Sequence, residues 1–267
     1  MLTADIRRKF TLRLSREPNK SYDDPEMKKN GLAAGYSPQR HYLRRLRVRM
    51  LHWKKFHQLQ QERRQENSEG FSFRGFDERK CIFVHIPKCA GIAVCKSLFG
   101  NLGGGHKTLE DYQLVFSPED YVRYFKFSFV RNPWDRLVSA FLFLKDGGMN
   151  AGDKAWAAEN LSSYNEFDIF VREGLRRREI LSFKHFQPQF GFLCPDGKQP
   201  GVDFLGHYEN LAADFEFVCR TLKVESKLLR ENQNSSRMDY EKYYTPETRQ
   251  IVGEVYRDDI EILGYSF

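Results

Sequence analysis

The sequence predicts an α/β fold: a central, mainly parallel sheet flanked by helices. Two observations carry this. Three short stretches, at residues 81–86, 125–130 and 202–206, read as strands, the first an apolar run and the second also buried, and helical patterns separate them. The first two runs each break at a turn bearing a cation, Lys88 beside Pro87 and Arg131 ahead of Pro133, and a helix pattern follows each turn. Alternation of strand and helix argues for parallel pairing, and ligands of such sheets collect at the carboxyl ends of the strands.

Taken in order, residues 1–40 read as loop, punctuated by Glu17-Pro18-Asn19-Lys20 and Asp23-Asp24-Pro25. Residues 41–64 read as a basic amphipathic helix. Leu43, Leu46, Met50 and Trp53 form its apolar stripe, with Arg44, Arg45, Arg47, Arg49, Lys54 and Lys55 around them. Either this helix lies on an anionic membrane surface, or its stripe docks on the domain that follows and its arginines stay solvated. Residues 70–80 read as a connector. The expected division is thus an N-terminal extension, 1–78, and a domain, 79–267. Within the domain, 91–99 reads as a helix and Gly103-Gly104-Gly105 as a flexible loop. A short helix at 118–124 opens on Ser117 as its N-cap. The helix at 134–145 has Pro133 near its first turn, where a missing N–H costs nothing, and Asp146-Gly147-Gly148 ends it. Further helices are expected at 165–174, at 209–222 with Leu211, Phe215, Val218 and Leu222 inward, and at 246–263.

Composition narrows the function. The net charge is +7, but residues 1–80 hold 20 Lys and Arg against 10 Asp and Glu, and the remainder holds 23 against 26. The basic excess belongs to the extension. A nucleic-acid binder would carry it over the folded surface, so nucleic acid is not an expected partner. The five cysteines, Cys81, Cys89, Cys95, Cys194 and Cys219, are odd in number and lack paired spacing, which argues for reduced thiols. No Cys/His cluster has zinc-ligand spacing, and no metal is expected. No run approaches the length of a membrane span, and residues 1–10 lack a secretory apolar core. The expected location is the cytoplasm, or the Golgi lumen or a membrane if a targeting segment is missing.

The turn Pro87-Lys88-Cys89-Ala90-Gly91 aims a lysine and the N–H groups of a helix start at one point, which suits a phosphate- or sulfate-like anion. It lacks the G-x-x-x-x-G-K-[ST] pattern of a Mg-nucleotide loop. A plainer reading is a strand-to-helix turn with an exposed lysine. In the second motif, Arg131 stands at a strand end and Ser139 lies eight residues on. A guanidinium fork and a hydroxyl converging on one phosphate is sound chemistry. The plainer alternative pairs Arg131 with Asp135 and packs Ser139 against the sheet.

Together, Pro87-Lys88-Cys89-Ala90-Gly91 and Arg131-Asn-Pro-Trp-Asp-Arg-Leu-Val-Ser139 resemble the sulfotransferases, in particular the carbohydrate-type family that includes chondroitin, dermatan and bacterial members. The resemblance continues in His185-Phe-Gln-Pro-Gln189, Phe192-Leu-Cys194, Asp203-Phe-Leu-Gly-His-Tyr-Glu-Asn-Leu211, Tyr243-Tyr244 and Ile262-Leu-Gly-Tyr265, and covers roughly residues 80–267. It implies a P-loop-like sulfotransferase fold and 3′-phosphoadenosine-5′-phosphosulfate as donor co-substrate, with no metal. By the same resemblance Pro87, Lys88, Cys89, Ala90, Gly91, Ile92 and Ala93 hold the 5′-phosphosulfate, and Arg131 and Ser139 hold the 3′-phosphate. Relatives usually carry Thr or Ser after the loop glycine. Here Ile92 and Ala93 stand there, so weaker donor binding is expected.

Sulfuryl transfer to a hydroxyl, probed by analogy with phosphoryl transfer, needs positioning and charge neutralisation. Lys88 can stabilise the leaving oxygen, and a base must take the acceptor proton. Histidine suits that task. His106, after the glycine run, is the first candidate, since a base histidine occurs in a comparable Gly-His context in uronyl 2-O-sulfotransferases, which this region distantly resembles. His185 is the second. His85, in a buried strand, is read as serving packing or orientation. A polar segment at 232–237, with Ser235, Ser236 and Arg237, either folds over the nucleotide or is a solvated loop. The expected activity is sulfuryl transfer to a hydroxyl, of a carbohydrate by the resemblance. The alternatives are a nucleotide-binding module without catalysis and a polyanion- or membrane-binding protein acting through residues 41–64.

Overall fold

The computed structural model describes residues 36–65, 70–195, 197, 199–229 and 239–267. Helices α1 (Pro38–Leu51), α2 (Trp53–Arg64) and α3 (Arg74–Arg79) precede strand β1 (Cys81–Val84). Then come α4 (Gly91–Phe99), α5 (Leu109–Val115), α6 (Pro118–Arg123) and β2 (Phe125–Val130). α7 (Pro133–Lys145) and α8 (Ala151–Asn160) follow. A single turn, α9 (Phe167–Ile169), runs into a π-turn (Phe170–Gly174), and α10 (Arg178–Ser182) and α11 (Phe190–Leu193) come next. β3 (Phe204–His207), α12 (Leu211–Leu222), α13 (Pro246–Val255) and α14 (Arg257–Leu263) complete the order. The α/β class is as expected, and the expected strands are all present. The helix expected over 41–64 is two helices, broken at His52 (φ −134°, ψ 49°). The one expected over 246–263 breaks at Tyr256, a buried residue whose hydroxyl donates to the Phe186 carbonyl at 2.7 Å. The reading of residues 1–35 as loop and of Ser235, Ser236 and Arg237 as a nucleotide cover lies outside the described residues.

The chain divides into two compact units. The first comprises the described parts of Met1–Ile86, Ala90–Val130 and Gly191–Glu231; the second comprises those of Pro87–Cys89, Arg131–Phe190 and Asn232–Phe267.

The first unit holds a parallel sheet in the order β1-β2-β3, with Phe83 opposite Phe127 and Phe127 opposite Phe204. Every residue of β1 and β2 is buried; β1 is apolar throughout, while β2 alternates Phe125, Phe127 and Phe129 with Lys126 and Ser128. Phe76, Phe83, Tyr112, Phe116, Phe127 and Phe129 fill the core around them. Two polar residues in β2 are neutralised locally. The Ser128 hydroxyl donates to the Val84 carbonyl at 2.7 Å. The buried Lys126 ammonium lies 3.1 Å from Asp203 and donates to the Tyr124 carbonyl at 2.8 Å.

The basic helices belong to this unit, and they correct the expectation that an apolar stripe docks them. Contact is made largely by polar side chains, with Leu59 of α2 buried among them. Arg45 Nη1 donates to the carbonyls of Leu114 (2.6 Å) and Phe116, and Gln60 Nε2 to that of Leu114 (2.7 Å). Arg63 bridges Asp77 (2.7 Å) and Asp120 (2.9 Å). The reason is that the last carbonyls of α5 have no partner within their own helix. Arg45 and Gln60 supply it, and a guanidinium also suits the negative end of the helix dipole. The apolar stripe is left outside, with Leu43 62% and Met50 67% exposed.

The second unit is built on α7. Asn132 caps the helix by accepting from Trp134 N at 3.0 Å, and Pro133 takes the first position. Trp134, Leu137, Val138, Phe141 and Leu144 face inward against Phe170, Phe186, Val252 and Tyr256. Among the described residues no helix is long and apolar enough to cross a membrane.

Candidate active site

β1 and β2 are neighbours in the sheet, and each sends its chain into one of the two cation-bearing turns. Within the second unit these turns are laced together. Arg131 Nη1 donates to the Lys88 carbonyl at 3.1 Å. Arg136 Nε donates to the Pro87 carbonyl at 3.0 Å, and its Nη2 to that of Gln187 at 2.9 Å. Gln189 is fully buried and holds both motifs. Its Oε1 accepts from Arg131 N at 2.9 Å and from the Cys89 thiol at 3.3 Å, and its Nε2 donates to the Arg131 carbonyl at 2.8 Å. Asp259 fixes this clamp by accepting from the backbone N–H groups of Gln189 (2.8 Å) and Phe190 (2.7 Å).

Arg131 also makes a two-pronged ion pair with Asp135, both contacts at 2.7 Å, as the plainer reading of the sequence foresaw. Asp135 therefore sets the plane of the guanidinium. Asp135 and Ser139 are spaced to share one face of α7, and Ser139 is partly exposed. The Lys88 ammonium sits 3.9 Å from the centre of the Phe143 ring, a cation–π contact. Burial, with the Arg131 charge as second cause, pushes its pKa down from 10.5 to about 8. Lys88 has φ 69° and Ala90 φ 61°, a conformation that non-glycine residues adopt at a cost and that is concentrated at binding loops.

In the first unit, Ala90 opens α4 without any side-chain cap, so the first-turn N–H groups of Gly91, Ile92 and Ala93 have no intrahelical acceptor. Gly91 is required by its neighbour: a Cβ at this position would overlap the His85 ring. The same ring lies 4.3 Å, centre to centre, from that of His106. His106 Nδ1 donates to the His85 carbonyl at 3.0 Å, which leaves Nε2 as the basic nitrogen of the neutral ring. Gly103-Gly104-Gly105, expected to be flexible, is a buried turn instead. Gly103 N donates to Asn101 Oδ1 at 2.7 Å, and side chains at Gly104 would meet Phe73 and Tyr112. That packing is what presents His106.

His185 is elsewhere, in the second unit. It is 5% exposed, 3.7 Å from Asp153, and flanked by the Phe143 and Phe183 rings. Residues that the sequence reading did not single out are Arg136, Gln189 and Asp259. The first two lie inside segments already quoted, Arg131–Ser139 and His185–Gln189, so a signal was present. Asp259 lies on α14, and only the fold brings it to Gln189. Among the described residues, no group of three or more His, Cys, Asp or Glu could hold a metal ion.

A model of the sulfotransferase family matches residues 71–266. The chain belongs to the sulfotransferase family. This family member is also similar to carbohydrate sulfotransferase 14 of Danio rerio, with 28% identity over 170 residues, 53% of this chain and 46% of that protein. The chain thus spans about half the length of that curated relative. No solved structure matches this chain.

Proposed function

We propose that this chain transfers a sulfuryl group from 3′-phosphoadenosine-5′-phosphosulfate to a hydroxyl of a carbohydrate. One observation supports the reading: Arg131 donates to the backbone carbonyl of Lys88, so the two cation-bearing residues are neighbours in the second unit. Lys88 meets the phosphosulfate and offsets charge on the departing oxygen. By the family resemblance alone, the backbone N–H groups of Gly91, Ile92 and Ala93 are assigned to the same phosphosulfate. Arg131, aligned by Asp135, and Ser139 take the 3′-phosphate. Such a transfer needs charge neutralisation at a fixed geometry, and the Gln189 clamp supplies that rigidity. His106 Nε2 takes the acceptor proton. His185, the second candidate base, is buried against Asp153 and is assigned a supporting place.

The test is calorimetric titration with 3′-phosphoadenosine-5′-phosphate, the desulfated product. One-to-one binding is expected, weaker than with a hydroxyl after the loop glycine. Lys88→Ala should weaken it by about 1.5–3 kcal/mol, the range for a charged hydrogen bond. Arg131→Ala also strands the buried Asp135 carboxylate, so Arg131→Lys is the cleaner partner variant. Absence of binding by the unmodified chain would remove the reading.

A second reading, a nucleotide-binding module without catalysis, is favoured by Ile92 and Ala93, which supply no hydroxyl after the loop glycine. Labelled donor with a panel of glycans separates the two. Donor binding without product on any acceptor selects the module. Residues 41–64 are assigned an anionic surface, membrane or polyanion, as partner. We propose a cytoplasmic location, on the odd number and unpaired spacing of the five cysteines; subcellular fractionation would reveal the Golgi-luminal alternative.

A further inference from the structure

The outward side of α1 is unlike the rest of the described surface. Leu43, Leu46 and Met50 recur at i, i+3 and i+7 and form one ridge, 62%, 40% and 67% exposed. Helical spacing puts Arg49 on one flank of this ridge and Arg40 and Arg47 on the other, all exposed. Tyr42 on α1 and Trp53, the first residue of α2, are both more than half exposed. No Asp or Glu occurs from Pro38 to Gln61. The opposite side of the helix is already committed, through His41, Arg44 and Arg45, to Gln113, Glu110 and Leu114. Packing within the first unit therefore does not explain the ridge.

We propose that this face docks on an anionic lipid bilayer. Leu43, Leu46 and Met50 enter the boundary between headgroups and acyl chains, while Arg40, Arg47 and Arg49 reach back to lipid phosphates. Tyr42 and Trp53 sit at headgroup depth, where amphipathic rings are favoured. The proposal rests on the reading that residues 41–64 meet an anionic surface, and it chooses between the two sources. A soluble polyanion would use the arginines and gain nothing from three exposed aliphatic side chains at their centre. A bilayer uses both.

The test uses the full chain with phosphatidylcholine vesicles, with and without phosphatidylserine, and with dextran sulfate as a lipid-free polyanion. Co-sedimentation with phosphatidylserine vesicles is expected, with quenching of Trp53 by brominated lipid that Trp53→Phe removes. Leu46→Asp and Met50→Asp should each lower vesicle binding by about tenfold or more, with product-nucleotide affinity unchanged. Because both positions are on the surface, circular dichroism should be unaltered. Arg47→Gln with Arg49→Gln should weaken binding and flatten its salt dependence. Should the aspartate variants bind vesicles as well as the parent, the proposal fails. Dextran sulfate binding without vesicle binding would also overturn it, while keeping an anionic partner. Binding to neither removes both, and a chromatographic dimer lost in Met50→Asp would assign the ridge to a second copy.

Discussion

Lys88 stands under two opposed influences. Burial and the Arg131 charge lower its pKa to about 8, and an arriving bisphosphate favours the charged form. Its ammonium is charged below about 8, so product-nucleotide affinity should be highest there and fall as pH rises through that value. Titrations across roughly pH 7 to 9.5 check this, and Lys88→Arg, which does not deprotonate, should flatten the profile. Stability runs the other way. Between about 8 and 10.5 the unfolded lysine binds more protons than the folded one, so this group's contribution rises with pH over that window. His106 has a separate duty. Its Nδ1 is tied to the His85 carbonyl, so His106→Ala should leave nucleotide binding intact and cut turnover by about 10²–10⁴. Normal turnover in that variant would exclude it as the base.

Helix ends decide much at the scale of single elements. α5 opens with a reciprocal box between Thr108 and Asp111, and its C-terminal carbonyls are covered from α1 and α2. His41 belongs to this cover. Its Nε2 donates to the Gln113 carbonyl at 2.6 Å, and Tyr36 donates to its Nδ1 at 2.7 Å. This arrangement needs the neutral ring, and burial lowers the pKa from 6.5 to about 4. With a depressed folded-state value, the contribution is complete above pH 6.5 and is lost as pH falls toward 4, by at most about 3 kcal/mol. Denaturation at successive pH values should show it. His41→Gln, whose amide keeps the donor, should flatten that limb. Equal acid sensitivity in parent and variant would show that α1 docks without His41.

For the whole molecule, the family match begins at residue 71, yet α1 and α2 are joined to the sheet unit ahead of it. Removing residues 1–65 would strip Arg45, Gln60 and Arg63 from their acceptors. A stability loss of about 2–4 kcal/mol is expected, together with unchanged nucleotide affinity per folded molecule. Thermal melts and calorimetry measure the two separately, and an unaltered melting temperature would show the extension to be idle.

What could be read from the sequence was local. β1 and β2 announced themselves because both faces are buried, and the turns at Lys88 and Arg131 because Pro87 and Pro133 mark where strand ends and helix begins. The Thr108–Asp111 box is equally local, a cap three residues from its partner. Helix breaks at His52 and Tyr256 were not legible; at Tyr256 the side chain is buried and bonds to the distant Phe186 carbonyl. The sequence by itself determined the family and the order of the two motifs along the chain, because motif spacing and residue type are properties of adjacent positions. Tertiary structure alone decided that Gln189 and Asp259 hold the two turns together, that three glycines form a packed turn, and that the basic helices face inward with their polar side. Those outcomes depend on which buried donors find which carbonyls, and partners far apart in the chain meet only after folding.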